Sequence, residues 1–378
     1  MINILFLYIV SIISIRFNKS ENIITVPLFY HYGTYDMKLY IGDENEFKFV
    51  ELNLLSDVLW LTPPFFENND ILTRAKEENI TANNHNITAL RINTSISFDK
   101  ERTISINNYS LYYVDNNLVR GYDTFPLALK FSNQNKSIVH MLYKEKKINS
   151  LSFGFKYSIK NKTAKFFLGG IPIDELFTFT YQTSLPMNIT KTWSSVLDNI
   201  HFYDCDYKVN AVVSFLPNNQ YILVPLKFLD YLKQKIFQQY YYNKTCVSVI
   251  YLDGYGIECE YKFIEYFPSI IFTIQGINFT LTKQDLFDYK EGVGIFLIRK
   301  KRSAPDSWIL GIPFLSHYMT EFNYEKNAIS FFSSHPFIDK MINASDKYRM
   351  AKPNLIVLSL IQIFFSVMLI ICRIKNGI

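Results

Sequence analysis

Apolar and polar positions alternate with a period near two in many short runs along this chain. Runs rich in β-branched and aromatic residues fall at 24–32, 37–41, 47–52, 103–114, 166–168, 209–215, 270–274 and 328–332. That periodicity is the mark of half-buried strands. One stretch keeps the helical period instead: Leu229, Leu232, Ile236 and Tyr240 recur within 226–241, with Pro225 in front of them. Residues 67–93 are rich in Asn and Glu, break the pattern, and are expected to form an exposed insertion. The fold class expected from the pattern is mainly β.

Two long apolar runs stand outside this region. The first, MINILFLYIVSIISI, has the length of a signal peptide and predicts one over 1–18, an uncleaved anchor being the alternative. The second runs from Leu355 to Cys372 with Gln362 as its one strongly polar member, long enough to span a bilayer as a helix. Together they predict a single-pass, type I arrangement, with a stalk over 339–354 and a cytoplasmic tail over 373–378. The charged end RIKNGI argues against a lipid-anchor signal. The bulk would then be lumenal or extracellular, in the secretory pathway or at the cell surface.

Glycosylation signals agree with that placement. Asn-x-Ser/Thr triplets begin at Asn18, Asn79, Asn86, Asn93, Asn108, Asn135, Asn161, Asn188, Asn243, Asn278 and Asn343, where composition alone would give roughly 4. In an oxidising compartment Cys246 and Cys259 are expected to pair. Cys205 is expected as a buried thiol, and Cys372 as a small apolar residue or a palmitoylation site.

Composition narrows the function classes. With 33 Phe, 27 Tyr and 49% hydrophobic residues, the chain is too apolar for global disorder. The net charge of +5 is mild and spread out, so no nucleic-acid partner is expected. No metal, phosphate or dinucleotide motif is present, and no cofactor is expected. The basic run Arg299-Lys300-Lys301-Arg302 is expected as an exposed loop, a processing site being the alternative.

Several segments, in order, resemble the pepsin-like aspartic proteases. They are YDMKLYIG (35–42), ELNLLSDVLWL (51–61), YDTFPLAL (122–129), LSFGFKY (151–157), FFLGGIP (166–172) and WILGIPFLSHYMTEFNYEKNAISFF (308–332). The resemblance implies a bilobal fold with a central cleft, the lobes lying at 22–176 and 177–338. It implies one catalytic Asp per lobe, sharing a proton to activate water. Asn53 stands at the first Asp position, with Leu54 and Leu55 in place of the Thr and Gly that follow. The second position is Ser214 if Ala211–Val213 anchor the motif, or Leu216 if Tyr221–Pro225 do; no Asp or Glu occurs between Tyr207 and Leu229. Phe98 stands at the flap tyrosine position. Glu51 and Asp57, near Asn53, are expected as solvated surface carboxylates.

The expectation is a membrane-anchored homologue that lacks protease activity and binds an unidentified protein, peptide or glycan. One alternative is a divergent active aspartic endopeptidase. Another is a glycosylated structural surface antigen with a collapsed cleft.

Overall fold

The computed structural model describes residues 22–334, apart from 32, 43–46, 63–74, 83–84, 115–122, 130–136, 160, 188–191, 252–253 and 302–306. The predicted signal peptide, stalk, membrane span and tail, with Asn18, Asn135, Asn188, Asn343 and Cys372, lie outside the described residues. Among the described residues no helix is long and apolar enough to cross a membrane.

The first half builds ten strands: β1 (Ile24–His31), β2 (Thr34–Ile41), β3 (Phe47–Asn53), β4 (Trp60–Leu61), β5 (Lys76–Ala82), β6 (His85–Ser97), β7 (Ser105–Tyr113), β8 (Thr124–Pro126), β9 (Ser152–Ser158) and β10 (Thr163–Leu168). The second half adds fourteen. They are β11 (Phe179–Pro186), β12 (Ser194–Phe202), β13 (Cys205–Phe215), β14 (Ile222–Leu223), β15 (Cys246–Ile250), β16 (Gly254–Glu260), β17 (Ile270–Ile274), β18 (Ile277–Leu281), β19 (Phe287–Lys290), β20 (Val293–Phe296), β21 (Ile298–Lys301), β22 (Trp308–Leu310), β23 (Tyr318–Asn323) and β24 (Ala328–Ser334). Each of the eight alternating or continuous apolar runs between 24 and 332 overlaps a strand.

A 13-stranded sheet runs β11-β24-β23-β9-β10-β1-β2-β3-β8-β4-β7-β6-β5, and an 11-stranded sheet takes all the other described strands. The predicted halves are therefore not independent: β11, β23 and β24 from the second half extend the first sheet. At this junction Phe153 of β9 stacks on Phe322 of β23 at 4.9 Å, with Trp193 edge-on at 5.7 Å. All three rings are buried.

Three local expectations meet the structure as follows. The helix forms over 226–242, its middle turn widened to a π-helix, and Pro225 caps it. Part of the polar insertion is instead an antiparallel hairpin, β5 pairing with β6 from Lys76↔Arg91 to Ala82↔His85. Its strands carry polar residues on both faces, which hides the period of two. The basic run is no loop up to Lys301: residues 298–301 form β21, and Arg299 is only 5% exposed. Its guanidinium lies 3.8 Å from the ring centres of both Tyr221 and Tyr251, a cation–π sandwich that compensates its burial.

Candidate functional site

Each sheet contains the same crossover. In the first, β3 runs parallel to β8, and β4 pairs antiparallel to the other edge of β8. In the second, β13 runs parallel to β22, and β14 pairs antiparallel to its other edge. The registers superimpose these units. Thr124 faces both Glu51 and Trp60, while Ile309 faces both Ser214 and Leu223. Ser214 is thus the counterpart of Glu51, and Leu216 is the counterpart of Asn53. Of the two positions the sequence left open, the pairing selects Leu216.

Both loops that leave these strands are closed by Asn side chains. The Asn53 Oδ1 accepts the Leu55 N–H at 2.8 Å, and the Asn219 Oδ1 accepts the Tyr221 N–H at 3.1 Å. These are Asx turns, in which a short amide replaces a backbone acceptor. Leu54 and Leu216 beside them are buried in one continuous apolar cluster with Phe215. Gly311 lets the second loop close, since a Cβ there would stand 2.3 Å from the Asn219 and Tyr221 carbonyl oxygens. The acid of the 122–129 segment, Asp123, is an anchor: its Oδ1 accepts the Thr62 N–H and hydroxyl, each at 2.7 Å.

Glu51 departs from the expectation of a solvated carboxylate. Its side chain shares the β3 face with Asn53 and lies directly across from Asp36 of β2. Burial, the largest effect, raises its pKa to about 7; Asp36 adds to the rise, while the Asn218 side chain and Lys301 oppose it. Asp36 is raised too, chiefly by burial, against the pull of His31 at 3.6 Å. With a pKa of about 7, the Glu51 carboxyl two residues from Asn53 is divided between its neutral and ionised forms near neutral pH. Asn218, on the loop between β13 and β14, acts to lower the Glu51 pKa and carries no sequence signal beyond its place in the Asn218-Asn219 pair. Asp57 is partly exposed.

The flap expectation finds a hairpin, β6 to β7, closed by the Phe98 N–H donating to Ile104 O at 3.1 Å. Phe98 itself is buried, edge-on to Phe125 at 5.9 Å. At the tip, burial would raise the Asp99 pKa, but donors from Thr103, Ile104 and Ser97 hold it below its usual value.

The other candidates are placed as follows. Cys246 and Cys259 face each other on β15 and β16 and are disulfide-bonded; Cys205 is a free, half-buried thiol. Asn79, Asn93, Asn108, Asn161, Asn243 and Asn278 are all exposed, and Asn86 lies on β6. Among the described residues no three His, Cys, Asp or Glu side chains are grouped to hold a metal ion.

A family model for eukaryotic aspartyl protease matches residues 125–334. No curated protein matches the chain.

Proposed function

Starting from the fact that the chain belongs to the eukaryotic aspartyl protease family, we propose that it is a membrane-anchored member without protease activity, whose groove binds a peptide or an extended protein segment. The observation that carries this reading is the pair of side chains at matching places in the two crossovers, Asn53 at the end of β3 and Leu216 just after β13. The family's chemistry needs one ionised and one protonated carboxyl about a single water. An amide takes up no proton at physiological pH, and an isobutyl group holds neither proton nor water. Loss of acid–base help alone costs roughly 10²–10⁴ in rate.

The surroundings of the two positions support the same reading. The residues after them, Leu54 and Leu55 or Pro217 and Asn218, bring side chains close to where backbone would have to approach a water. The exposed glycosylation triplets and the disulfide fit a lumenal or extracellular location, and the 355–372 run supplies the anchor. Immobilised full-length chain, challenged with a diverse peptide pool, should retain a subset that is recovered intact and displaced by a statine-type peptide mimic. Recovery of no peptide above background would remove the binding role and leave a surface-coat protein.

Glu51 and Asp36 give a specific reason to weigh a second reading, a divergent acid endopeptidase built on this carboxyl pair. Both groups belong to one sheet, on the adjacent interior strands β2 and β3, rather than one to each of the two crossover loops. Turnover abolished by Glu51→Gln would establish that alternative.

A further inference from the structure

We propose that the Arg299 guanidinium, enclosed by the Tyr221 and Tyr251 rings, is a binding site for one carboxylate, supplied by an acidic side chain or the free carboxyl end of a peptide. The peptide as occupant rests on the groove reading above; the anion site itself stands on the contacts around Arg299.

Those contacts are built from the strand outward. On β21, Arg299 faces Leu223 of β14, and its carbonyl accepts the Val224 N–H at 2.9 Å, which fixes the backbone beneath the side chain. The Tyr221 and Tyr251 rings, both half-buried, each lie 3.8 Å from the guanidinium carbon. The Tyr251 hydroxyl donates to Glu258 Oε1 at 2.6 Å and so holds the second ring in place. Gly256 of β16 leaves the room, since a Cβ there would stand 2.7 Å from the Tyr251 ring and 3.4 Å from Arg299 Nε. Tyr221 ties the site to the second crossover: its N–H donates to Asn219 Oδ1 at 3.1 Å, in the loop that starts at Leu216.

What the enclosure lacks is an acceptor. A guanidinium carries five N–H donors and no acceptor. Arg299 Nε is buried without a hydrogen-bond partner, and among the described residues no oxygen accepts from this guanidinium. The ring faces offset the charge but leave the donors unmade, and unmade donors on a buried cation are costly. A carboxylate matches the fork with two oxygens. Arg299 is only 5% exposed, so a bound carboxylate would be shielded from water, where such a pair is strongest. Glu258 adds a negative charge behind Tyr251, which disfavours a doubly charged phosphate.

Two measurements on the full chain in detergent, at about pH 7, test this. The first compares thermal unfolding in about 100 mM acetate, phosphate or chloride at equal ionic strength. Subtracting the response of Arg299→Gln removes the general salt effect. Acetate should then raise the wild-type Tm by about 2 °C over chloride, as for a ligand at roughly ten times its Kd, and phosphate should raise it less. Arg299→Lys keeps the charge without the fork and serves as the reference if the Gln variant does not fold. An acetate response equal in wild type and variant would overturn the site, and a larger phosphate response would overturn its assignment to carboxylate.

The second uses a diverse peptide pool in four forms, with Asp and Glu present or replaced by Asn and Gln, and with the carboxyl end free or amidated. Immobilised wild type should retain a carboxylate-bearing form at least tenfold better than the fully neutral one, and Arg299→Gln should retain all four alike. The form retained tells side chain from chain end. Equal retention of all four by wild type would overturn the peptide as occupant. Retention of none, with the acetate response intact, would sink the groove reading and leave the anion site standing.

Discussion

Replacing Glu51 with Gln isolates the energetic consequence of burying a carboxyl beside Asp36. The ordinary glutamate value of 4.5 rises to about 7 in the folded chain, mostly through desolvation. The raised value means that the folded chain holds this proton more tightly than the unfolded chain. Between about pH 4.5 and 7 the folded state carries more protons, so stability falls as pH rises and levels off above 7. The full difference is about 3 kcal/mol at pH 8 and close to nothing below pH 4.5. Gln keeps the shape and the acceptor oxygen but never ionises. The variant should match wild type at pH 4.5 within a few tenths of a kcal/mol and exceed it at pH 8 by up to ~3 kcal/mol, roughly 3–6 °C in Tm. Differential scanning calorimetry at the two pH values reads this directly. A Gln variant less stable than wild type at pH 8 would mean that the ionised form is the stabilising one, with Asn218 and Lys301 outweighing burial.

Other perturbations probe the scaffold. Cys246→Ser with Cys259→Ser should cost about 2–4 kcal/mol in calorimetry under non-reducing conditions, and reductant should destabilise wild type but not the variant. Phe153→Ala removes a fully buried ring from the junction with Trp193 and Phe322 and should cost about 3–5 kcal/mol by denaturant unfolding. Arg299→Lys exchanges a planar cation between two tyrosine rings for a point charge and should lower stability by about 1–2 kcal/mol. Peptide mapping of the expressed protein should find the Arg299–Lys301 strand uncut.

Much of the architecture was legible because strand burial is written locally. In β17, buried Ile270, Phe272 and Ile274 alternate with less buried neighbours, and the run in the sequence coincides with the strand. The helix over 226–242 was equally plain from its spacing. Cys246 and Cys259 pair across adjacent strands, as compartment and number suggested. What stayed hidden depends on partners far along the chain. Ser214 and Leu216 were both open because the parallel register with β22 decides between them, and no local pattern encodes it. The phase of Glu51 on its strand was readable, but its burial was not, since Asn218 and Lys301 arrive from the other sheet. Arg299 looked like a surface charge until Tyr221 and Tyr251 were seen to enclose it. In β5 polar residues occupy both faces, and in β6 the buried Ala89, Ile92 and Ile96 do not keep a spacing of two, so the hairpin left no clear alternation.

The central claim is that Asn53 and Leu216 leave the groove without the means to hydrolyse a peptide. Its most direct test is mass-spectrometric scoring of cleavage in a diverse peptide library, from about pH 3 to pH 7, with and without a statine-type inhibitor. Wild type should give no inhibitor-sensitive products, and neither should Asn53→Asp combined with Leu216→Asp. That variant would bury two carboxylates beside Leu54 and Pro217 without the donors that hold them about a water. Inhibitor-sensitive cleavage by wild type would contradict the account outright.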